Sequence, residues 1–244
     1  MPARSELQRA LAFGLAVVAL GVSSAVLLPR LLSVTGGPEA DILSTLKVQE
    51  REGLSLPVAP GEPPRVSSKL LFDRILVEVD PDGAHAAAVF TLDFTGTFGA
   101  TGVSALGRER VTLERERRDW RPRPEGAWAP TFAAVVRALD RRQRALQRGD
   151  EAALRGLVPA DAAGRALSDP ALRQCLSLTD RRYQSLAWYL RADRDPVTDR
   201  IEAVVTEEYP LEGALPERPL DVRGSRRLRL VRDGQEFLFA EGLM

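Results

Sequence analysis

Two adjacent carboxylates, Glu207 and Glu208, are the side chains of this sequence that could act as a general acid or base. They lie in a predicted strand that ends at Tyr209-Pro210, and successive strand residues point to opposite faces of a sheet. One of them would have to point into an apolar pocket to transfer a proton to a ligand. We interpret both as part of a solvated strand edge, so the sequence predicts no catalytic residue.

Six aromatic side chains could line such a pocket. Trp188 and Tyr189 are adjacent, so only one of them can face inward. A filled core needs the same aromatic placement as a pocket does, and a filled core is the interpretation we favour. The pocket candidates are Phe132, Trp188, Tyr189, Tyr209, Phe237 and Phe239.

Other reactive groups are scarce. Cys175 is the single cysteine, so no disulfide can form within the chain, and its apolar helical context predicts a small buried side chain. His85 is the single histidine and follows the turn Asp80–Gly83, where we expect it at the surface. A catalytic triad, a histidine-rich metal site and a phosphate-binding loop are absent from the sequence, and we expect no metal and no cofactor.

The charges point to a mixed surface. Acidic and basic residues balance at 34 each, which disfavours nucleic acid as a partner. The segment 108–123 is rich in arginine, but Glu109, Glu114 and Glu116 alternate with the arginines. This pattern predicts a wet sheet face or a contact with another protein. The partner-contact candidates are Arg108, Arg110, Arg115 and Arg117.

An internal repeat relates the two halves of the chain at an offset of 117 residues. The matches are Gly107/Gly224, Arg110/Arg227, Val111/Leu228, Leu113/Leu230, Arg115/Arg232 and Trp120/Phe237. Further upstream, Ala88-Val89 matches Ala203-Val204 at an offset of 115, and a two-residue shift in a loop would reconcile the two offsets. We therefore predict two related units, a degenerate one at 38–125 and a more complete one at 128–244.

Alternating apolar and polar residues predict strands in both units. They cover 71–79, 86–98 and 103–118 in the first unit, and 182–192, 200–209, 226–232 and 235–240 in the second. Asp233-Gly234 predicts a two-residue hairpin turn between the last two strands.

Helices are predicted at Glu39–Glu52, after Pro130 and after Asp169-Pro170. The second of these ends at Gly149, and Asp150 can cap a short continuation. The proline-rich segment 57–64 is a predicted linker.

A membrane anchor is predicted at residues 10–32. Ala10 to Leu28 carries no charge, and these 19 residues would span roughly 28 Å as a helix, close to the hydrocarbon thickness of a bilayer. A cleaved signal peptide, the competing interpretation, needs a shorter apolar stretch and a cleavage site of small residues.

The basic residues around the anchor predict its orientation. Arg4 and Arg9 precede it and only Arg30 closely follows, which favours cytoplasmic residues 1–9 and a periplasmic C-terminal domain at the inner membrane. The helix predicted after Pro130 would have its repeat equivalent 117 residues earlier, which falls on the anchor. A continuous helix from Ala10 past Pro29 towards Asp41 would then join the anchor to the first unit.

The stretch from Ala138 through Gly149-Asp150 to Leu157 resembles the opening helix of the NTF2-like (SnoaL-like) superfamily. The resemblance implies an α+β fold in which a curved antiparallel sheet wraps round helices as a cone, here as tandem sheets with the second unit more complete. The superfamily includes isomerases, cyclases, dehydratases and non-enzymatic binding modules, so the resemblance leaves the activity open. No catalytic residue of the family can be carried over to this sequence.

An exported domain of this kind behind one anchor has a layout similar to VirB8-type secretion components and Mce-associated membrane proteins. Our leading hypothesis is a non-enzymatic scaffold of a bacterial envelope assembly, in secretion, transport or motility. It would bind the lipid bilayer through residues 10–32, together with other envelope proteins or further copies of itself. The alternative is a small-molecule-binding domain, either a carrier or a lyase or isomerase.

Overall fold

The computed structural model describes residues 36–56, 65–66, 69–117, 119–123, 128–194 and 200–244. The predicted anchor and residues 1–9, for which a cytoplasmic location is predicted, lie outside the described residues, as does the predicted linker 57–64. Among the helices of the described part, none combines the length and apolar composition needed to cross a bilayer.

The chain divides into two blocks, and in each block the helices come first and the strands follow. The first block contains α1 (Pro38–Glu52), β1 (Ser55–Leu56), β2 (Arg65–Val66), β3 (Lys69–Val79), β4 (His85–Phe98), β5 (Thr101–Glu116) and β6 (Asp119–Arg123). The helices of the second block are α2 (Pro130–Arg148), α3 (Glu151–Arg155), α4 (Ala163–Leu167) and α5 (Pro170–Ser177). Its strands are β7 (Thr179–Tyr183), β8 (Ala187–Arg194), β9 (Ile201–Leu215), β10 (Arg218–Asp233) and β11 (Glu236–Glu241). The predicted α+β class is confirmed.

One large sheet joins both halves of the chain. Its strand order is β11-β10-β9-β8-β5-β4-β3, with β6 paired to β5 and β7 paired to β9. The halves meet where β5 and β8 run parallel, with Gly102 opposite Ala187 and Gly107 opposite Ala192. The other pairings within this sheet are antiparallel. The division into units at 38–125 and 128–244 stays a prediction, because the two sets of strands share this sheet.

The repeat has a structural counterpart in two pairs of hairpins. Arg115 lies opposite Trp120 in the β5–β6 hairpin, and Arg232 lies opposite Phe237 in the β10–β11 hairpin. These pairs are 117 residues apart and stand in the same register.

The long hairpins, β4–β5 and β9–β10, also share one register. Ala88 lies opposite Val111 in the first, and Val205 lies opposite Leu228 in the second. Because Val111 and Leu228 are 117 residues apart, the counterpart of Ala88 is Val205. The offset of 115 that paired Ala88 with Ala203 is therefore wrong, and no loop shift is needed.

Each strand of the sheet buries one face. Along β4 the residues Ala86, Ala88, Phe90, Leu92 and Phe94 are buried, while their neighbours are exposed or half-buried. The alternation places the apolar side chains of the strands against the helices and leaves the opposite face wet, as the sequence predicts for β5.

α1 packs against β3 through Ile42 and Leu46, and an oxygen of Glu50 accepts a hydrogen bond of 2.6 Å from the backbone of Phe72. The helix begins at Pro38 because Gly37 is extended, with φ −100° and ψ 171°. The expectation of one continuous helix from Ala10 to Asp41 is therefore wrong.

Three helices of the second block, α2, α3 and α5, begin where the sequence predicts, whereas α4 was not predicted. α2 ends at Gly149 in the left-handed conformation, with φ 67°, which favours glycine because it has no Cβ. The side chain of Asp150 caps α3 by accepting from the backbone of Ala153. Asp169 caps α5 by accepting from the backbone of Leu172.

Three strand predictions were wrong in their extent, and one of them is β10, which begins at Arg218 and not at residue 226. The strand predicted at 182–192 is broken into β7 and β8. Tyr183 lies opposite Leu211 and Ala187 lies opposite Glu208, so the register with β9 shifts by one residue across 184–186. β9 continues through Pro210 to Leu215, because the long β9–β10 ladder holds it there with Pro210 opposite Arg223.

Candidate functional site

A buried ion pair lies inside the second block. Nη1 of Arg142, on α2, is 2.9 Å from Oε2 of Glu207, on β9, and neither side chain reaches solvent. Nη1 of Arg142 also donates to the hydroxyl of Tyr183 at 3.2 Å, and Nε donates to the carbonyl of Leu243 at 2.7 Å. The helix is thereby tied to β7, to β9 and to the segment after β11.

The other oxygen of Glu207 also has partners. Oε1 accepts hydrogen bonds from Oγ of Ser185 and from Nε1 of Trp188, the latter at 3.2 Å. Both oxygens of this carboxylate are therefore bound by protein groups, which is the arrangement that a buried charge requires.

A second arginine contacts the same carboxylate. Nε of Arg226, on β10, lies 3.4 Å from Oε2 of Glu207, and its guanidinium carbon is 3.5 Å from the ring centroid of Tyr209. Within the described residues, Nη2 of Arg142 and Nη2 of Arg226 have no hydrogen-bond partner. Two arginines thus share one carboxylate, and the rings of Tyr209 and Tyr183 stabilise the excess positive charge by cation–π contacts.

Burial and the neighbouring charges oppose each other at this pair. Burial alone would raise the pKa of Glu207, but the charge of Arg142 and the hydrogen bond from Ser185 outweigh burial and hold the pKa below its usual value. Burial would lower the pKa of Arg142, but Glu207 raises it above its ordinary value. Burial raises the pKa of Tyr183. At neutral pH Glu207 is therefore an ionised acceptor with a fixed set of donors.

A second buried carboxylate caps the start of α2. Glu109, on β5, accepts from the backbone N–H of Thr131 at 3.0 Å and from that of Phe132 at 2.7 Å. The residue at the N-cap, Ala129, has no side chain that could do this. Burial raises the pKa of Glu109 to about 7, even though the backbone hydrogen bonds favour its charged form.

The repeat relates these buried charges to one another. Glu109 lies opposite Phe90 in the first long hairpin, and Arg226 lies opposite Glu207 in the second. Glu109 and Arg226 thus occupy equivalent places 117 residues apart. α2 contacts a buried charge of each half, Glu109 at its first turn and Glu207 through Arg142.

An opening of about 400 Å³ lies beside Glu109. The pairing of β5 with β8 ends at Gly107 and its pairing with β6 begins at Thr112, so the described strands leave this edge of β5 unpaired between those residues. The lining residues are Val89, Arg108, Glu109, Arg110, Thr112, Thr131, Arg194, Ile201 and Arg232.

The predicted pocket residues separate into two groups. Trp188 faces inward, whereas Tyr189 is 49% exposed on the opposite face of the sheet, as expected for adjacent strand residues. Tyr209 is half-buried beneath Arg226. The buried members are packed in the core, namely Phe132, Trp188, Phe237 and Phe239.

The predicted partner-contact arginines do not form one cluster. Arg108 and Arg110 are exposed on β5 and border the opening beside Glu109. The guanidinium of Arg115 lies 5.9 Å from the ring of Trp120. Arg117 is in the turn between β5 and β6, in the left-handed conformation with φ 57°.

The interpretation of Glu207 as a solvated edge residue is wrong, whereas Glu208 is exposed. Glu207 is an even number of positions from the buried Ala203 and Val205, so it lies on the same face of the strand. This spacing is the sequence signal that could have placed it inside. Arg142 and Glu109 were missed in the same way. Arg142 follows the buried Leu139 by three positions and so lies on the same face of the helix. Glu109 is two positions from the buried Val111 and so lies on the same face of the strand.

The two isolated reactive residues lie where the sequence predicts. Cys175 is buried, and burial raises the pKa of its thiol. His85 is exposed, with Nδ1 at 2.6 Å from Asp82. Asp80, Asp82 and His85 are close enough together to hold a metal ion, but all three are exposed residues of a turn.

Two solved structures are similar to parts of this chain. A candidate ketosteroid isomerase from Shewanella frigidimarina NCIMB 400 is 14% identical, with a TM-score of 0.35 over 43% of this chain and 90% of that chain. An NTF2-like protein involved in plasmid conjugation is 8% identical, with a TM-score of 0.30 over 72% of this chain and 76% of that chain. No protein-family model and no curated protein matches the sequence. Both TM-scores are below 0.5.

Proposed function

We propose that this protein is a non-enzymatic scaffold of a bacterial envelope assembly, anchored in the inner membrane by residues 10–32. The observation that carries the proposal is the closed pair of Arg142 and Glu207. The space that a ligand would need inside the second block holds two charged side chains and the groups that bind them.

The chemistry of Glu207 supports a structural role. A general acid or base must reach a substrate and change its protonation near the working pH. Glu207 has no exposed atom, four protein groups contact its two oxygens, and its pKa is held below the usual range. Such a carboxylate fixes the position of α2 and does not exchange protons with a ligand.

The exposed arginines of β5 support contact with another protein. Arg108 and Arg110 have no ion-pair partner among the described residues, whereas Arg123, on the neighbouring β6, is paired with Glu114. Unpaired arginines at an exposed sheet edge can meet carboxylates of a partner, because a guanidinium matches them in geometry and charge. We therefore place a partner contact at Arg108 and Arg110.

The partner contact can be tested on the full chain in the cells that make it. The tagged chain is crosslinked, extracted from the membrane fraction and compared with an untagged strain by mass spectrometry. The double variant R108E/R110E should lose the membrane proteins that the wild type brings down. R218E/R223E, which reverses two exposed arginines of β10, should keep them. A chain that brings down no protein above the untagged background would refute the scaffold proposal.

The membrane placement has its own test. The chain should stay in the pellet after an alkaline carbonate wash, and a reporter enzyme active only outside the cytoplasm should be active when fused after Met244. A variant with two arginines in the apolar run, such as L15R/L20R, should release the chain. A wild-type chain found in the soluble fraction would contradict the anchor.

A second candidate function is the binding of a small anion at the opening beside Glu109. The opening of about 400 Å³ has arginines on its wall and a carboxyl with a pKa of about 7 at its floor. A carboxyl of that pKa can exchange protons at neutral pH, and the arginines could hold a carboxylate or phosphate. Inorganic phosphate and small dicarboxylates are suitable probes in thermal-shift assays. A rise in Tm that R232E abolishes and R218E preserves would favour this function over the scaffold.

A further inference from the structure

The exposed face of the large sheet carries one row of side chains that crosses it at right angles to the strands. The pairings place Leu71, on β3, opposite Asp93, on β4, and Asp93 opposite Leu106, on β5. Beyond the junction of the two halves, Leu106 is opposite Arg191, on β8, and Arg191 is opposite Val204, on β9. The row therefore reads Leu71, Asp93, Leu106, Arg191, Val204.

Three large apolar side chains on this face are exposed. Leu106 is 51% exposed, Leu71 is 42% exposed, and Tyr189 beside Leu106 is 49% exposed. Because the helices pack against the opposite face, these side chains have no cover within the described part of the chain. Large apolar side chains grouped in this way typically mark a contact surface.

Two opposite charges stand on either side of Leu106. Asp93 and Arg191 are two strand spacings apart, about 10 Å, which is too far for an ion pair within the chain. Among the described residues neither has an ion-pair partner. By contrast, Arg229, which continues the row on β10, is paired with both Glu202 and Glu241.

We propose that this face binds a second copy of the same chain across a two-fold axis that runs along β5 over Leu106. Such an axis places Leu106 on its own copy and Leu71 on Val204 of the other copy. It also brings Asp93 of each copy against Arg191 of the other copy. The interface is isologous, so every contact occurs in two symmetric versions.

The neighbouring rows limit where the two sheets touch. Two residues further back along β5, Ser104 would meet its own copy and Thr95 would meet Tyr189, which are compatible contacts. Two residues further on, Arg108 would meet its own copy, and like charges repel. The contact is therefore centred between Ser104 and Leu106, with Arg108 at its rim.

The contact is small for a stable dimer. Leu71 and Val204 are four strand spacings apart, about 19 Å, so the face offers less than the ~800 Å² per partner of a standard interface. We expect a weak dimer that forms at high local concentrations of the chain. The inference needs no envelope protein as a partner, so it can fail while the scaffold proposal stands, and the reverse also holds.

A cysteine at the axis tests the dimer directly. Leu106→Cys in the full chain, purified in mild detergent and treated with a short bismaleimide, should give a crosslinked dimer, because sheets packed face to face lie about 10 Å apart, too far for a disulfide but within the reach of that linker. Leu76→Cys is the matched control, since Leu76 is 55% exposed on β3 but stands away from the axis. The buried Cys175 of the wild type gives the background.

Charge reversal then tests the symmetry. Asp93→Arg or Arg191→Asp added to Leu106→Cys should lower the yield of crosslinked dimer at least fivefold, and both together should restore it to within twofold. The proposal is overturned if Leu106→Cys crosslinks no better than Leu76→Cys. It is also overturned if the single reversals have no effect or if the double reversal fails to restore the dimer. Equal melting temperatures of the variants confirm that the changes in yield report on association.

Discussion

Nη1 of Arg142 lies 2.9 Å from Oε2 of Glu207, with both side chains fully buried, and Arg226 reaches the same oxygen at 3.4 Å. The three groups carry a net positive charge of one. A substitution at this cluster therefore acts mainly through the charge that it leaves without a partner.

Glu207→Gln should be the most destabilising single change at the cluster. It leaves Arg142 and Arg226 buried without a carboxylate, which we expect to lower the free energy of unfolding by about 3–5 kcal/mol. Arg142→Met should cost less, because the pair of Arg226 and Glu207 remains. Urea denaturation of the full chain measures both.

The double variant R142M/E207Q completes the cycle. It keeps one positive charge in the cluster, as in the wild type, so it should be more stable than Glu207→Gln alone. A double variant whose loss equals the sum of the two single losses would show that the charges are not coupled.

Glu109 should make stability depend on pH. Its pKa in the folded chain, about 7, is above the ordinary value of 4.5, so folding favours the protonated carboxyl. The stability that the protonated carboxyl contributes is fully present below the ordinary value and is lost as the pH rises through 7. Relative to Glu109→Gln, the wild type should lose about 3 kcal/mol between acid and mildly alkaline pH.

Unfolding curves at a series of pH values measure that difference. Glu208→Gln, at an exposed position, is the control and should follow the wild type across the range. A constant difference between wild type and Glu109→Gln would contradict the assigned burial of Glu109.

Gly149 and Gly164 should respond in opposite ways to alanine. Gly149 has φ 67°, and an added Cβ would lie 2.5 Å from Nη1 of Arg181, so Gly149→Ala should destabilise the chain by more than about 1 kcal/mol. Gly164 is in α4 with open space around it, so Gly164→Ala should stabilise by about 0.5–1 kcal/mol. Thermal melts of the two variants compare the left-handed glycine that ends α2 with a glycine inside α4, without changing any charge.

The adjacent aromatics on β8 give a test of the sheet faces. Trp188 is buried and donates to Glu207, so Trp188→Ala should cost about 3–5 kcal/mol. Tyr189 is half exposed on the outer face, and Tyr189→Ala should change stability by less than about 0.5 kcal/mol at concentrations where the chain is monomeric. Equal losses at the two positions would mean that the strand faces are misassigned.

The sequence was informative where the signal is local. Alternation in β4, the glycine that ends α2 and the aspartates that cap α3 and α5 depend on neighbouring residues, and they were predictable. The repeat was also readable, because Arg115 and Trp120 recur as Arg232 and Phe237 in the same hairpin register.

Pairings between residues far apart in the sequence could not be predicted from local patterns. Nothing near Gly102 or Ala187 predicts that β5 and β8 run side by side, although this pairing joins the two halves. Arg142 and Glu207 are 65 positions apart, so the local sequence around one residue does not identify the other as its partner. Charged residues at inward positions were interpreted as solvated, because burial of a charge is favourable only when a distant partner is present.

We propose that the interior of the second block is structural and that binding takes place at the surface. Crosslinking and extraction of the R142M/E207Q chain from its own cells separates these two roles. The folded variant should bring down the same membrane proteins as the wild type, in amounts within about twofold, whereas R108E/R110E should lose them. Loss of those proteins by a folded R142M/E207Q chain, with R108E/R110E unaffected, would contradict the proposal.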